Sequence, residues 1–161
     1  MGIEIERKFL VKDRTYRTFA TGVLYRQGYL CSEPGRVVRV RVVGDQGFLT
    51  IKGIKVGAVA PEFEYPIPVG DAQTLLEGLC EKPLIEKFRF EVDYQGFRWE
   101  IDEFIGENSG LVVAELELPT VATPFPVPEW VGAEVTDNPR YFNVNLRKYP
   151  YGRWGQPDES L

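Results

Sequence analysis

Ile3-Glu4-Ile5-Glu6-Arg7-Lys8-Phe9-Leu10-Val11 lies at the start of the chain, and its alternation decides how the rest is read. In an extended strand, residues i and i+2 point to one face. Glu4, Glu6 and Lys8 therefore share one face, and Ile3, Ile5 and Phe9 share the other. Working outward, the same arrangement keeps returning. Arg39 and Arg41 oppose Val38, Val40 and Val42, and Lys52 opposes Leu49 and Ile51. Glu62 and Glu64 oppose Phe63, Tyr65 and Ile67, while Lys87 and Arg89 oppose Phe88 and Phe90. Glu100 and Asp102 oppose Trp99 and Ile101, and Glu115 and Glu117 oppose Ala114, Leu116 and Leu118.

The period-2 pattern predicts strands over 3–11, 23–31, 36–43, 47–53, 62–69, 84–94, 97–104 and 111–118. Gly and Pro punctuate between them, at Glu33-Pro34-Gly35, at 44–47 and over 53–61, and Gln95-Gly96 reads as a tight turn. A helix is expected over 71–80, with Asp71 as its cap and Leu75, Leu76 and Leu79 as its apolar stripe. Residues 119–128 hold four prolines and form a connector, followed by a short strand over 130–136. Asn138-Pro139 pairs a capping residue with proline at the first helical position, which predicts a short C-terminal helix over about 139–146. The expected organisation is one domain over 1–149 and a partly disordered tail over 150–161, which Tyr151 and Trp154 are placed to pin down. The fold class is mainly β, an antiparallel barrel or strongly curved sheet of eight main strands with flanking helices.

The chain has 161 residues, the size of one domain, with 43% hydrophobic and 27% charged residues. A net charge of −5 disfavours a nucleic-acid partner, which calls for a surplus of basic groups. The absence of histidine removes Ser-His-Asp and Cys-His catalysis and every His-containing metal site. Cys31 and Cys80 lack metal or redox spacing and read as reduced thiols. With neither a signal peptide nor an apolar run long enough to span a membrane, the expected location is the cytoplasm, without a membrane partner.

Any one of these strands alone reads as half of an exposed sheet with its charges in water. The repetition of like-charge pairs (ExE, RxR, ExE, KxR, ExD, ExE) strains that reading, because like charges side by side on a sheet repel. Fourteen charges sort into blocks of one sign, six basic and eight acidic. If a closed barrel turned them inward, the lumen would need water, cross-strand ion pairs and a ligand of opposite sign, since an unpaired buried ion costs several kcal/mol. The cations suit a highly anionic ligand. Carboxylates without His or Cys suit hard dications such as magnesium or manganese. Polyphosphate with metal satisfies both.

Glu4-Ile5-Glu6-Arg7-Lys8 is an ExExK pattern. It is followed in order by Arg39-Val-Arg41, Thr50-Ile-Lys52-Gly53, Glu62-Phe-Glu64, Glu86-Lys87-Phe-Arg89, Trp99-Glu100-Ile-Asp102, Ala114-Glu115-Leu-Glu117 and Glu134-Val-Thr136. Over residues 3–146 this set resembles the CYTH superfamily, the triphosphate tunnel metalloenzymes. The resemblance implies an eight-stranded antiparallel tunnel that binds a triphosphate and one or two Mg2+ or Mn2+ ions. Carried over by position, Lys8, Arg39, Arg41, Lys52, Lys87 and Arg89 are the catalytic phosphate cradle. Glu4, Glu6 and Glu117, with Glu115 beside them, are the metal ligands, and Glu62, Glu64, Glu100 and Asp102 order a second metal or the attacking water. The segment 140–146 resembles a helix that closes against the tunnel, with Arg140 at the mouth as a further substrate contact.

Short chains with this motif order resemble bacterial inorganic triphosphatases. The expected reaction is hydrolysis of the terminal phosphoanhydride of tripolyphosphate to pyrophosphate and phosphate, with water activated by carboxylate-bound metal. Thiamine triphosphatase or nucleoside triphosphatase activity is the alternative reading, and a polyphosphate-binding sensor the non-enzymatic one. Class IV adenylate cyclase activity is disfavoured because the His-Phe pair typical of that branch is absent. The partner is a small polyphosphate; monomer and dimer both remain open.

Overall fold

The computed structural model describes residues 2–155. Eight antiparallel strands close into a barrel: β1 (Gly2–Val11), β2 (Val23–Glu33), β3 (Arg36–Val43), β4 (Gln46–Lys52), β5 (Val59–Ile67), β6 (Ile85–Tyr94), β7 (Phe97–Phe104) and β8 (Val112–Glu117). Around the ring the order is β1-β5-β4-β3-β2-β6-β7-β8, returning to β1. A ninth strand, β9 (Val131–Glu134), lies outside the ring against β1.

Local chemistry sets the hairpins. Glu33 pairs with Arg36 across Pro34-Gly35, where Gly35 takes the positive φ of 81° that a Pro-Gly turn requires. Gln95 and Gly96 both have positive φ, 47° and 86°, matching the twist of the β6–β7 hairpin. Closure depends on β1 having two partners. Its first half, Gly2 to Ile5, pairs with β5, and its second half, Glu6 to Leu10, pairs with β8. The predicted strand at 62–69 therefore begins earlier, at Val59, and ends at Ile67. Pro61, which reads as a break, is tolerated because its ring lies where a ladder donor is not needed; its carbonyl accepts from the Gly53 N–H at 3.0 Å.

Two other expectations are corrected. Helix α1 (Val69–Gly78) starts ahead of Asp71, which stands in the first turn as a charge favourable to the helix dipole and not as the cap. Its Ala72 and Leu76 are buried against Val40 and Val42, whereas Leu79 of the expected stripe is exposed. The C-terminal helix is divided into a 3-10 turn (Pro139–Tyr141) and α2 (Asn143–Lys148), because Phe142 between them is extended. Asn138 Oδ1 does accept from the Arg140 N–H at 3.1 Å, as its capping position predicts. After α2 the chain folds back, and Trp154 packs on Tyr141 and Tyr151 with ring centres 5.1 and 5.0 Å apart. The remainder of the expected tail, 156–161, lies outside the described residues.

The apolar material sits on both sides of the wall. Outside, Phe9, Trp99, Ile101, Ala114 and Leu116 pack beneath Tyr16, Phe125 and Trp130, so the Pro-rich connector covers this face of the barrel. Ile51, Phe63 and Tyr65 on β4 and β5 have no such cover and remain exposed. Inside, Tyr29, Ile85, Phe104, Leu111 and Val113 meet Leu146 of α2. One end of the lumen is thus an apolar plug, and the charges occupy the rest. Among the described residues, no helix is long and apolar enough to cross a membrane. Cys31 and Cys80 are both free thiols.

Candidate active site

Strand parity carries the charged faces inward. A cavity of about 290 Å³ is lined by Glu4, Glu6 and Lys8 of β1, Arg39 and Arg41 of β3, Lys52 of β4 and Glu62 and Glu64 of β5. Lys87 and Arg89 of β6, Glu100 of β7 and Glu115 and Glu117 of β8 complete the charged lining. Two expected residues are not in it. Asp102 is buried behind the surface, its Oδ1 accepting from Arg89 Nε at 2.8 Å and its Oδ2 from Lys87 Nζ at 2.7 Å and Arg89 Nη2 at 2.9 Å. Three of its acceptor sites are taken by these cations, so it acts as counter-ion to both. Arg140 points away, its guanidinium stacked over Trp154 at 4.8 Å and Tyr149 at 5.5 Å.

Four of the six expected cations are ion-paired. Lys52 Nζ reaches Glu4 and Glu62 at 3.2 and 3.1 Å. Arg89 adds Glu100 and Glu115 at 3.0 and 3.1 Å to its bonds with Asp102. Arg39 sits 3.8 Å from Glu64 and donates to Thr50 Oγ1 at 3.1 Å, yet among the described residues its buried Nε has no partner and remains available to a ligand oxygen. Desolvation pushes the Lys87 pKa down to about 7 against the pull of Asp102. Burial alone would also lower Lys52, but Glu4, Glu6 and Glu62 hold it above the ordinary lysine value.

The carboxylates face one another. Register sets Glu6 opposite Glu117 and Glu100 opposite Glu115. Burial, then the charges of Glu115 and Glu4, raise the Glu6 pKa well above the ordinary value. Although burial would raise Glu115 too, Lys8, its hydrogen bond with Glu6, Arg89 and Lys87 hold it well below. Glu4 is likewise raised by burial, and it shares a hydrogen bond with Glu62. Among the described residues, no three Asp, Glu or Cys side chains converge into a finished metal site. The carboxyls instead stand in facing pairs, Glu4 with Glu62 and Glu6 with Glu115, whose mutual repulsion a hard dication with oxygen ligands would offset. The donor set fits such an ion.

Several lining residues escaped the sequence reading. Lys55 comes from the loop after β4 and donates to Gly57 O and Thr136 O at 2.6 and 3.0 Å. Asn143 of α2 accepts from Lys87 at 3.2 Å, and Phe142 lies beneath Lys8 and Lys55. None belongs to an alternating charged strand, so no periodic signal marks them.

An antiparallel barrel turned inside out, with cations and paired carboxylates facing one cavity, defines an enclosed polyanion-binding protein. The CYTH domain model matches residues 2–145, and the chain belongs to that family. It is 55% identical to an inorganic triphosphatase of Acetivibrio thermocellus, over 94% of this chain and 97% of that one. It is 36% identical to an inorganic triphosphatase of Nitrosomonas europaea, over 89% and 95% respectively. A crystal structure of an inorganic triphosphatase superposes with a TM-score of 0.62 at 33% identity, covering 89% of this chain and 96% of the other.

Proposed function

We propose that the protein is an inorganic triphosphatase, hydrolysing the terminal phosphoanhydride of tripolyphosphate to pyrophosphate and phosphate. The observation that carries this reading is the lumen itself, where all six expected strand cations line one cavity with the carboxylates. The two curated relatives above support it.

A phosphoryl group is shielded by its own oxygens, so its transfer depends on positioning and charge stabilisation. Lys8, Arg39, Arg41 and Lys52 bind the phosphate oxygens, and Arg39 Nε offers an N–H that has no other partner among the described residues. Lys87 and Arg89 extend the cradle from β6. Glu62, Glu64 and Glu100 orient Lys52, Arg39 and Arg89 through the ion pairs described. Glu4, Glu6, Glu115 and Glu117 would hold Mg2+ or Mn2+, which supplies Lewis-acid polarisation and charge neutralisation when bound. Burial and the neighbouring Glu115 raise the Glu6 carboxyl, and a dication held here would offset that charge crowding. Free thiols fit a reducing compartment, so we place the protein in the cytoplasm.

Phosphate release from tripolyphosphate, ATP and thiamine triphosphate, with magnesium or manganese present, tests the proposal. Turnover of tripolyphosphate well above the others is expected. Comparable rates on ATP, or binding of tripolyphosphate without phosphate release, would refute it.

A further inference from the structure

Strand β2 presents a different face to the lumen from its neighbours: Tyr25, Gln27 and Tyr29, none of them charged. Gln27 is fully buried and sits directly opposite Arg41 in the β2–β3 register. Its Oε1 accepts from both Arg41 Nε and Arg41 Nη2 at 3.1 Å, and its Nε2 lies 3.4 Å from the Tyr29 hydroxyl. The Tyr25 ring lies 5.0 Å from the Arg41 guanidinium and 4.9 Å from that of Arg89, at cation–π distance from both. Among the described residues, no carboxylate stands within ion-pairing distance of Arg41, in contrast to Arg39, Lys52, Lys87 and Arg89.

We propose that Gln27 is a positioning residue that aims Arg41 into the tunnel while leaving its charge uncompensated for the substrate. This rests on the triphosphatase reading. The physical reason is that a glutamate at position 27 would hold the same two N–H groups more tightly, but it would also cancel the field that an incoming phosphate meets. A neutral amide fixes the fork of the guanidinium and leaves the charge in place. Tyr25 spaces Arg41 from Arg89 with a ring face attractive to both. Arg39 and Arg89 line the same cavity as Arg41, and burial followed by these two neighbours lowers the Arg41 pKa to about 10. A bound polyanion would offset the repulsion among these guanidiniums.

The test compares Gln27→Glu with Gln27→Met, reading KM and kcat for tripolyphosphate, the thermal midpoint without ligand, and calorimetric binding of tripolyphosphate without metal. Gln27→Glu retains both hydrogen bonds, so its thermal midpoint equals or exceeds that of the native chain, while KM rises at least tenfold and kcat changes far less. Gln27→Met frees the guanidinium but leaves its charge, so KM rises by a smaller factor and the midpoint falls. A merely structural Gln27 predicts the reverse order, with the Glu variant near native and the Met variant damaged; that order overturns the proposal. If Gln27→Glu fails to fold, Gln27→Met decides alone, and an unchanged KM overturns the proposal. A native protein that binds tripolyphosphate but releases no phosphate refutes the triphosphatase reading only. The charge argument is then read from calorimetry, where equal affinity of native protein and Gln27→Glu overturns it.

Discussion

Asp102→Asn removes the carboxylate charge on which two buried cations depend. Asp102 is 1% exposed, accepts three hydrogen bonds from Lys87 and Arg89, and is the sole ion-pair partner of Lys87 among the described residues. Breaking a buried pair costs about 3–5 kcal/mol, because a charge is left without its partner. Arg89 keeps Glu100 and Glu115, and Lys87 can shed its proton because its pKa is already down to about 7. The loss therefore falls at the lower edge, about 3 kcal/mol. For a chain of this length that is a fall in Tm of roughly 6–12 °C. The pH dependence identifies the cause. Above about pH 7 the folded native protein and the variant both carry neutral Lys87, so this group contributes little to the difference. Below about pH 7 the native chain regains the proton and its ion pair, and the variant, with a still lower Lys87 pKa, does not. Thermal unfolding followed by circular dichroism at pH 6 and pH 8 should show the larger difference at pH 6. A loss of Tm equal at both values, or none, would refute the counter-ion role.

Arg39→Ala and Lys52→Ala each abolish turnover while circular dichroism stays native; an active variant contradicts the assignment of the cradle. Lys87 must be protonated to meet an anion, so kcat/KM falls as pH rises through about 7, and Lys87→Arg, which stays charged, removes that limb of the profile. Chelation with EDTA stops phosphate release, and magnesium or manganese restores it; undiminished activity in chelator rules out the role given to the four glutamates. Leu146→Ala empties part of the apolar plug and lowers unfolding stability by about 2–5 kcal/mol in denaturant titration.

Strand parity made the charged lining legible because burial on both faces leaves its mark on alternate residues. Glu4, Glu6 and Lys8 point inward as their spacing requires. The rule is blind to depth along a strand, however. Asp102 shares a face with Glu100, yet it lies behind the surface because its neighbours in the lumen are Lys87 and the plug residue Phe104. Arg140 was misplaced for another reason: the break at Phe142 turns the preceding turn outward, toward Trp154. On β2 the alternation was present, but Tyr25, Gln27 and Tyr29 carry no charge, and an amide acceptor has no pattern of its own. Its role emerges only from the register that sets Gln27 against Arg41. Closure was similarly hidden, since the split of β1 between β5 and β8 is a relation between distant segments.

The apolar plug of Tyr29, Ile85, Phe104, Leu111, Val113 and Leu146 also governs traffic. A lumen stoppered at one end is a cul-de-sac. On the function proposed above, a phosphate chain would enter such a lumen by a terminus and its products would leave by the same mouth. On that reading, internal linkages of a long polymer would stay beyond reach. The tunnel would thereby read its substrate from the end.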